Sequence, residues 1–416
     1  MKFAWLGCLL GGGLLFAGNQ PPELNVNSRY TVESVELSGD SETRISTGLR
    51  QEIRDLVGSN LNPSALDEIA KQIRHELHVR SVTHRVLRGT QPQHVKVVFD
   101  VRGRSAKFDV SVPNFLYHSN QGWSGLVEGT ATIADSAFTF GLVSDGNELV
   151  ERYTGLRARY ENKKLGTSRL RFRFQFESYH EQWNSATREG VDQVFRDPSP
   201  DVAGIYRTRQ NFEPVATIVL AKPLTLSVGA GFQRFESQVP AARTESSNAL
   251  ITTLRYHRVL EDSGANQHDL DAGYSLRAAT KALNSDYAYV RQHWEVRYVL
   301  TRGPHMFLED LTAGLITGQA PLFERFVLGN SSTLRGWNKF DLDPLGGSRV
   351  VHNTVQYRYR MVEVFYDSGA IWDRNLAVAP KHSIGVGVQK GGFTLAVAVP
   401  VKEGHIEPVF MVGMNY

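Results

Sequence analysis

The chain has almost no cysteine, and it has no long hydrophobic run after residue 18. Cys8 is the single cysteine among 416 residues. A disulfide within the chain is therefore impossible, and so is a zinc site made of several thiolates. A membrane-spanning helix needs about 20 consecutive apolar residues, which the chain beyond residue 18 does not offer. These absences exclude disulfide-stabilised domains and helical membrane spans.

An excess of charge of either sign is also missing. The 46 basic residues nearly balance the 43 acidic ones, so the net charge is +3 and we expect no nucleic-acid partner. The mean hydropathy of −0.29 resembles that of a soluble protein. A transmembrane β-barrel has a similar average, because each strand alternates apolar residues that face lipid with polar residues that face the lumen.

Motifs of the common enzyme classes are missing as well. Neither the phosphate-binding motif G-x-x-x-x-G-K-[ST] nor the nucleophile elbow G-x-S-x-G occurs. His75 and His78 do not complete the zinc motif H-E-x-x-H, because its second histidine would fall at Val79. We therefore interpret both histidines as solvated helix residues, and we expect no catalytic residues, no metal site and no cofactor.

Residues 1–18 are predicted to be a signal peptide. Lys2 precedes an apolar core, and Ala17 with Gly18 supplies small residues for cleavage. A lipoprotein signal is the alternative, but Cys8 lies too early in the apolar core for lipid attachment. The sequence thus predicts that the protein is exported from the cytoplasm.

Residues 19–104 are predicted to form a small α/β domain. Apolar residues recur there with the period of strands at some positions and of helices at others. The order is strand, helix, helix, strand, strand. The segments are Tyr30–Leu37, Ile45–Leu56, Leu66–Leu77, Ser81–Leu87 and His94–Val101.

From about residue 105 to the end, at residue 416, the apolar pattern has period two. Sixteen segments of this kind run from 105–117 to 405–416, and an even number is typical of single-chain transmembrane barrels. The expected fold class is therefore an all-β transmembrane barrel of about 16 antiparallel strands over residues 105–416, preceded by the small α/β domain. The last segment alternates up to a terminal aromatic residue, through Phe410, Val412, Met414 and Tyr416.

A long connection over residues 320–348 interrupts the strand pattern. It is too polar and too rich in glycine for a strand, and loops of this length are usually functional. It contains the run Leu334-Arg335-Gly336-Trp337, and the strand pattern further along contains Phe365-Tyr366-Asp367-Ser368-Gly369. An arginine offers a fork of donors that suits a carboxylate, so we expect Arg335 and Asp367 to form a buried pair.

These two motifs, (L/V)RG(F/Y/W) followed by F-x-D-x-G, resemble those of the outer-membrane assembly barrels, the BamA/TamA-like superfamily also called the bacterial surface antigen family. The resemblance implies that the loop folds into the barrel as a lid, with its tip at Leu334, Arg335, Gly336 and Trp337. Phe365, Asp367 and Gly369 would form the partner site on the lumen wall. Members often place a glutamate on the preceding strand, where this chain has Gln356, so we expect the loop to be less firmly held.

The remaining expectations also come from this resemblance. The N-terminal domain resembles a single polypeptide-transport-associated (POTRA) domain, whose edge strand Ser81–Leu87 would accept an extended peptide. The last strand resembles the sorting signal of bacterial outer-membrane proteins. These features imply a barrel surrounded by outer-membrane lipid, with the N-terminal domain in the periplasm. Unfolded outer-membrane or secreted proteins would be its clients, and accessory periplasmic proteins would be further partners.

The predicted function is the assembly, insertion or translocation of proteins at the outer membrane, through a barrel that opens laterally. Two alternatives remain. One is a dedicated secretion pore of the two-partner type, although such pores typically carry a plug helix and two POTRA domains. The other is a passive structural barrel without clients.

Overall fold

The structure is a computed structural model that describes residues 28–38, 45–77, 79–104, 107–196, 204–262, 266–374, 378–404 and 406–414. The chain divides into two compact units, Met1–Ser105 and Ala106–Tyr416. The predicted signal peptide over residues 1–18 lies outside the described residues, and so does Tyr416. Within the described ranges, none of the helices is long and apolar enough to cross a bilayer.

The N-terminal unit is a three-stranded sheet packed against two helices. The central strand, β3, pairs in parallel with β1 and antiparallel with β2. The Ser46 hydroxyl accepts a hydrogen bond from the Leu49 amide at 3.2 Å, which satisfies one free donor at the start of α1. The elements are β1 (Thr31–Leu37), α1 (Thr47–Asp55), α2 (Pro63–Leu77), β2 (Val79–Arg88) and β3 (His94–Arg104).

The helical spacing of apolar residues in α2 forms the core of this unit. Leu66 and Ile73 are buried in one apolar cluster with Val97 and Phe99 of β3. Among the described residues β3 lies between the other two strands, so β2 is at the edge of the sheet, and its Leu87 is 45% exposed. The predicted strand Ser81–Leu87 is therefore an edge strand of the sheet.

The C-terminal unit is a closed antiparallel barrel of sixteen long strands, which confirms the predicted fold class. The strands are β4 (Lys107–His118), β5 (Gly122–Ile133), β6 (Ser136–Asp145), β7 (Glu151–Asn162), β8 (Leu170–Trp183), β9 (Tyr206–Ala221), β10 (Leu224–Ser237), β12 (Ala249–Asp262), β13 (Asn266–Ala279), β14 (Ala288–Arg302), β15 (His305–Gln319), β16 (Arg349–Tyr359), β17 (Val362–Trp372), β18 (Lys381–Lys390), β19 (Phe393–Val401) and β20 (Val409–Met414). A short additional strand, β11 (Arg243–Ser246), pairs with the end of β10.

Alternation along each strand separates an outer face from a lumen face. In β17, Val364 and Tyr366 are 48% and 42% exposed. Phe365, which lies between them, and Asp367, which follows them, are both buried. This follows from strand geometry, because successive side chains point to opposite faces of the sheet. The outward positions of β17 are therefore apolar, whereas its inward positions include both a polar residue, Asp367, and an apolar one, Phe365.

The barrel closes where its last strand meets its first, and this pairing is short. Among the described residues, β20 pairs with β4 at four positions, from Met411↔His118 to Met414↔Phe115. By contrast, β13 pairs with β14 at fourteen positions. β20 begins at Val409 rather than at the predicted residue 405, just after Pro408, which has no amide hydrogen to donate to a ladder. We call the β20–β4 pairing the seam.

Two elements of the long connections were absent from the sequence-based prediction. The connection between β8 and β9 contains α3 (Ser185–Val194), whose Val191 is fully buried. The connection over residues 320–348, between β15 and β16, contains the short helix α4 (Lys339–Leu342). Both helices follow an asparagine whose side chain accepts a hydrogen bond from the helix start, which is a local signal visible in the sequence.

The buried core of the N-terminal unit leads to a stability prediction. Replacing Ile73, which is fully buried, by alanine should destabilise this unit by about 2–5 kcal/mol, since a cavity is left behind. Limited proteolysis in a urea gradient would measure the loss. Val57→Ala, at a position 48% exposed, is the matched control and should change the unfolding midpoint little. An Ile73→Ala midpoint equal to that of the control would contradict the packing described.

Candidate functional site

The 320–348 loop, called the lid from here on, lies folded inside the barrel. An apolar cluster joins the lid to the lumen side of the wall and to α3. Such a cluster is unusual for a barrel lumen, which is normally lined by polar groups. Its members from the lid are Ala320, Leu322, Phe323, Phe326, Leu328 and Leu334, and its members outside the lid include Val191, Tyr206, Phe235, Tyr289, Ile316 and Val350.

Arg335, near the tip of the lid, makes a bidentate contact with Asp367 on β17. Its Nε donates to Oδ2 at 3.0 Å and its Nη2 donates to Oδ1 at 2.9 Å. The backbone amide of Arg335 also donates to Oδ2, at 3.0 Å. Asp367 is completely buried and Arg335 is 9% exposed. The two residues that the sequence paired are thus in direct contact.

Side chains of the two neighbouring strands also contact the oxygens of the Asp367 carboxylate. The Thr354 hydroxyl on β16 donates to Oδ1 at 2.9 Å, and the Ser383 hydroxyl on β18 lies 3.5 Å from Oδ2. A buried carboxylate is costly unless hydrogen bonds compensate for the loss of water. Asp367 is therefore a point where three strands and the lid are held together.

The Arg335 guanidinium also contacts an aromatic ring and an amide. Its Cζ lies 3.4 Å from the centre of the Phe365 ring, in a cation–π contact. Its Nη1 lies 3.5 Å from Oε1 of Gln356, at the limit of a hydrogen bond. Gln356 donates in turn to Glu363 at 2.8 Å. Gln356 thus occupies the second partner position that the motif predicted, but its contact is weak.

Backbone conformation brings the tip of the lid close to the wall. Gly336 has φ +118°, which is strained for other residues, and an added Cβ would lie 3.1 Å from the backbone of Val399 and Pro400 on β19. The next residue, Trp337, donates its indole N–H to the His382 carbonyl at 2.8 Å. On the other side, the Leu334 amide donates to Nε2 of His352 at 3.1 Å. The tip therefore lies directly against the wall.

A second group of contacts holds the first part of the lid. Oε1 of Glu324 lies 3.3 Å from Nη1 of Arg277 on β13, and its carbonyl accepts from Nε of Arg291 on β14 at 2.9 Å. Arg325 pairs with Asp373 at 2.6 Å, in the connection after β17. Burial would raise the pKa of Asp373, but the Arg325 guanidinium and hydrogen bonds from Ser348 hold it below its usual value. The expectation of a loosely held loop, drawn from Gln356, therefore overlooked these anchors.

The other predicted site residues have simpler surroundings. Gly369 leaves room for the lid, since an added Cβ would lie 3.1 Å from Cδ1 of Leu328. Phe410, Val412 and Met414 alternate with the buried Val409 and Met411, so they face outward on β20.

Sequence reasoning missed the lid contacts of Thr354, His352, Ser383 and Glu324. No motif marks them, because their position follows only from strand register. Where the chain is described, no cluster of side chains could hold a metal ion.

The geometry predicts strong coupling between the two charged residues of the tip. Removing one partner of a buried pair typically costs about 3–5 kcal/mol. A cavity of about 330 Å³ borders Arg335 and should lower that cost by admitting water. We expect Arg335→Ala and Asp367→Ala each to increase amide hydrogen exchange over residues 328–338, with the double variant no worse than the larger single effect.

The control for this experiment is Arg234→Ala, which removes an exposed arginine of β10 far along the wall from β17. Its exchange over the lid should match the unmodified protein. Strictly additive effects of the two tip substitutions would mean that the contact between Arg335 and Asp367 contributes nothing to the docking of the lid.

Comparison with known proteins is consistent with this geometry. Residues 272–401 match the Omp85 superfamily domain. The structure of BamA from Haemophilus ducreyi lacking POTRA domains 1-3 is similar with a TM-score of 0.59 at 13% identity, over 92% of this chain and 84% of that chain. CdiB from Acinetobacter baumannii gives a TM-score of 0.51 at 11% identity, over 92% of this chain and 74% of that chain. No curated protein sequence matches the chain.

At such low identities, the two structures show a shared fold and nothing finer. The matched segment 272–401 extends from β13 to β19, so it contains the lid with Arg335 and the wall with Asp367. The predicted relation to the outer-membrane assembly barrels is thereby confirmed. This chain therefore contains a segment that matches the Omp85 superfamily domain, within a closed antiparallel β-barrel.

Proposed function

We propose that this protein assembles or inserts other proteins at the bacterial outer membrane, through a barrel that opens at its seam. The observation that carries the proposal is the difference between the seam and the rest of the wall. The seam has four paired positions among the described residues, whereas β14 and β15 pair at fifteen. Among the described residues, no other two neighbouring long strands of the barrel have so few paired positions, so the seam is the place where the wall opens with the least loss of pairing.

An opened seam presents a strand edge on which a client can fold. Unpaired backbone groups of an edge strand are a template for a further strand, and in lipid they must find a partner. β4 extends from Lys107 to His118, but its described pairs with β20 cover only Phe115 to His118. The stretch that β20 would release, Phe115 to His118, then becomes an edge on which an incoming strand can pair.

The filled lumen favours this mechanism over a passive pore. The lid, α3 and the wall share one apolar cluster inside the barrel, and this cluster occupies lumen space that a passive pore would leave to water. A dedicated secretion pore would have to displace the lid and break the Arg335–Asp367 contact in every transport event. Lateral opening at the seam needs no such clearance of the lumen.

The N-terminal domain is proposed to lie in the periplasm and to receive clients. β2 is an edge strand with exposed Val86 and Leu87, and a groove of about 620 Å³ lies beside these residues. An extended peptide can add to such an edge through backbone hydrogen bonds, while pockets accept its alternate side chains. The domain would thus hold a client strand before it reaches the seam.

A disulfide across the seam tests the proposal. Tyr117 and Val412 are register partners on β4 and β20, so Tyr117→Cys with Val412→Cys should bridge under oxidation. The only native cysteine is Cys8, in the predicted signal peptide, so the introduced pair would be the only thiols of the mature chain. We expect the oxidised protein to lose client assembly and to regain it on reduction. The measurement is the rate at which a reporter barrel becomes protease-resistant in vesicles.

A matched control places the same bridge elsewhere in the wall, with Ala272→Cys and Val296→Cys on β13 and β14. That bridge should leave assembly unchanged in both redox states. Undiminished assembly with the seam locked would favour the secretion pore or the passive barrel instead. Depleting the protein from cells then separates a general role from a dedicated one, because a general insertase affects many outer-membrane proteins and a dedicated transporter affects one.

A further inference from the structure

We propose that the lid is an internal clasp across the seam, with one end fixed to the strands before it and the other to the connections after it. This inference rests on the proposed function, since it concerns how opening of the seam is controlled. The strands before the seam are β16 to β19, and the connections after it join β4 to β5 and β6 to β7. Residues 335–337 of the lid make the first set of contacts, and residues 329–331 together with Lys339 make the second.

The end that holds the strands before the seam is the tip. Arg335 binds Asp367 on β17, and Trp337 donates to the His382 carbonyl on β18. Gly336 lies against the backbone of β19, the last strand but one. Release of the tip would remove these contacts to three strands at once, and on β17 the contact of Leu328 with Gly369 would remain.

The other end holds the connections that follow the seam. Gln121, in the turn between β4 and β5, donates its side-chain amide to the Gly329 carbonyl at 2.9 Å. Asn147, in the connection between β6 and β7, accepts from the Ser331 amide at 3.0 Å and donates to the Ser331 hydroxyl at 2.8 Å. Asn147 is 5% exposed, so these two hydrogen bonds are shielded from water.

The buried ammonium of Lys339 reinforces this second end. It donates to the backbone carbonyls of Gly146 and Leu149, which flank Asn147 in the same connection. Burial lowers the pKa of Lys339 to about 8, although the nearby Glu151 opposes that shift. The ammonium is therefore best stabilised when both carbonyl partners stay in place, which ties α4 to the connection between β6 and β7.

A rigid turn joins the two ends. The Asn330 side-chain oxygen accepts from the amides of Ser332 and Thr333 at 3.0 and 2.7 Å. It also accepts from their hydroxyls, at 3.1 and 2.8 Å. The Asn330 amide donates to the Thr333 carbonyl at 3.0 Å, and Asn330 itself is 4% exposed. A turn closed in this way transmits displacement from one end of the clasp to the other instead of absorbing it.

The wall between the tip and the seam supports the same coupling. The Phe365 ring, which contacts Arg335 on the lumen side, belongs to an apolar cluster with Leu116, Ala396, Ala398, Val409 and Met411. The Phe365 ring crosses Gly385 of β18 to reach that cluster, and a Cβ added at Gly385 would overlap the ring. Loss of the tip contact therefore leaves a side chain of the seam cluster unsupported.

A clasp makes a specific prediction, because it works only while both ends hold. Arg335→Ala frees the tip, and Asn147→Ala removes two hydrogen bonds of the other end. Each hydrogen bond contributes about 1 kcal/mol, so each variant should raise the ratio of open to closed seam by on the order of fivefold or more. The double variant should open the seam no further than the stronger single variant.

Spin labels on Tyr117→Cys and Val412→Cys would report the seam directly, by the distance distribution between them in lipid vesicles. Asn330→Ala should raise the open fraction as well, with both ends intact. Asn162→Ala is the matched control, because Asn162 also makes two side-chain hydrogen bonds, to Ser136 and Lys164, at the other end of β7 and away from the lid. It should leave the distances unchanged.

Each outcome supports or overturns the clasp. Effects of Arg335→Ala and Asn147→Ala that multiply in the double variant would mean that the two contacts act independently, and an unchanged seam in both single variants would remove the clasp altogether. The distances are measured without clients, so they do not depend on the proposed function. If the seam opens as predicted while a locked seam still assembles clients, the clasp stands and the proposed function fails.

Discussion

The contact between Arg335 and Asp367 is the interaction on which the arrangement of the lumen depends. A charged pair in a buried position is stable only if hydrogen bonds replace the water that both groups lose. Here the carboxylate accepts from the side chain and backbone of Arg335 and from Thr354. The pair thereby fixes the tip of the lid against the wall, and the apolar residues behind the tip become the filling of the barrel.

From this contact the rest of the closed state follows. With the tip in place, Leu328 and Leu334 join the cluster that α3 covers through Val191. The Thr187 hydroxyl of α3 donates to the Pro344 carbonyl of the lid at 2.8 Å, which joins the helix to the lid by a hydrogen bond as well as by packing. The lid and α3 thus fill part of the barrel lumen together.

The sequence allowed most of the barrel to be predicted, for reasons that can be named. Period two is enforced along every strand by lipid on one side and polar groups on the other, so even the residues of β17 were assigned to the correct faces. Arg335 and Asp367 were recognisable because each is a single charge among small or aromatic residues. The partners Asn147 and Gln121 were not, since an asparagine or glutamine in a connection carries no signal of what it meets after folding. The start of β20 was also misplaced, because the alternation continues past Pro408, although that residue cannot donate to a ladder.

Small residues on the lumen side explain why the lid and the seam should act together. Between the tip and the seam, the inward positions of β18 and β19 include Gly385, Ala396 and Ala398, and these residues leave a shallow surface. Phe365 and the tip cover part of that surface, so removing the tip would enlarge the cavity that borders Arg335 and Ala396, close to the seam. Cavities in packed regions are costly, and the nearest element able to close this one is the weakly paired seam itself. A docked lid therefore stabilises the closed barrel through packing as well as through charge, and a released lid favours the opening that the proposed function requires.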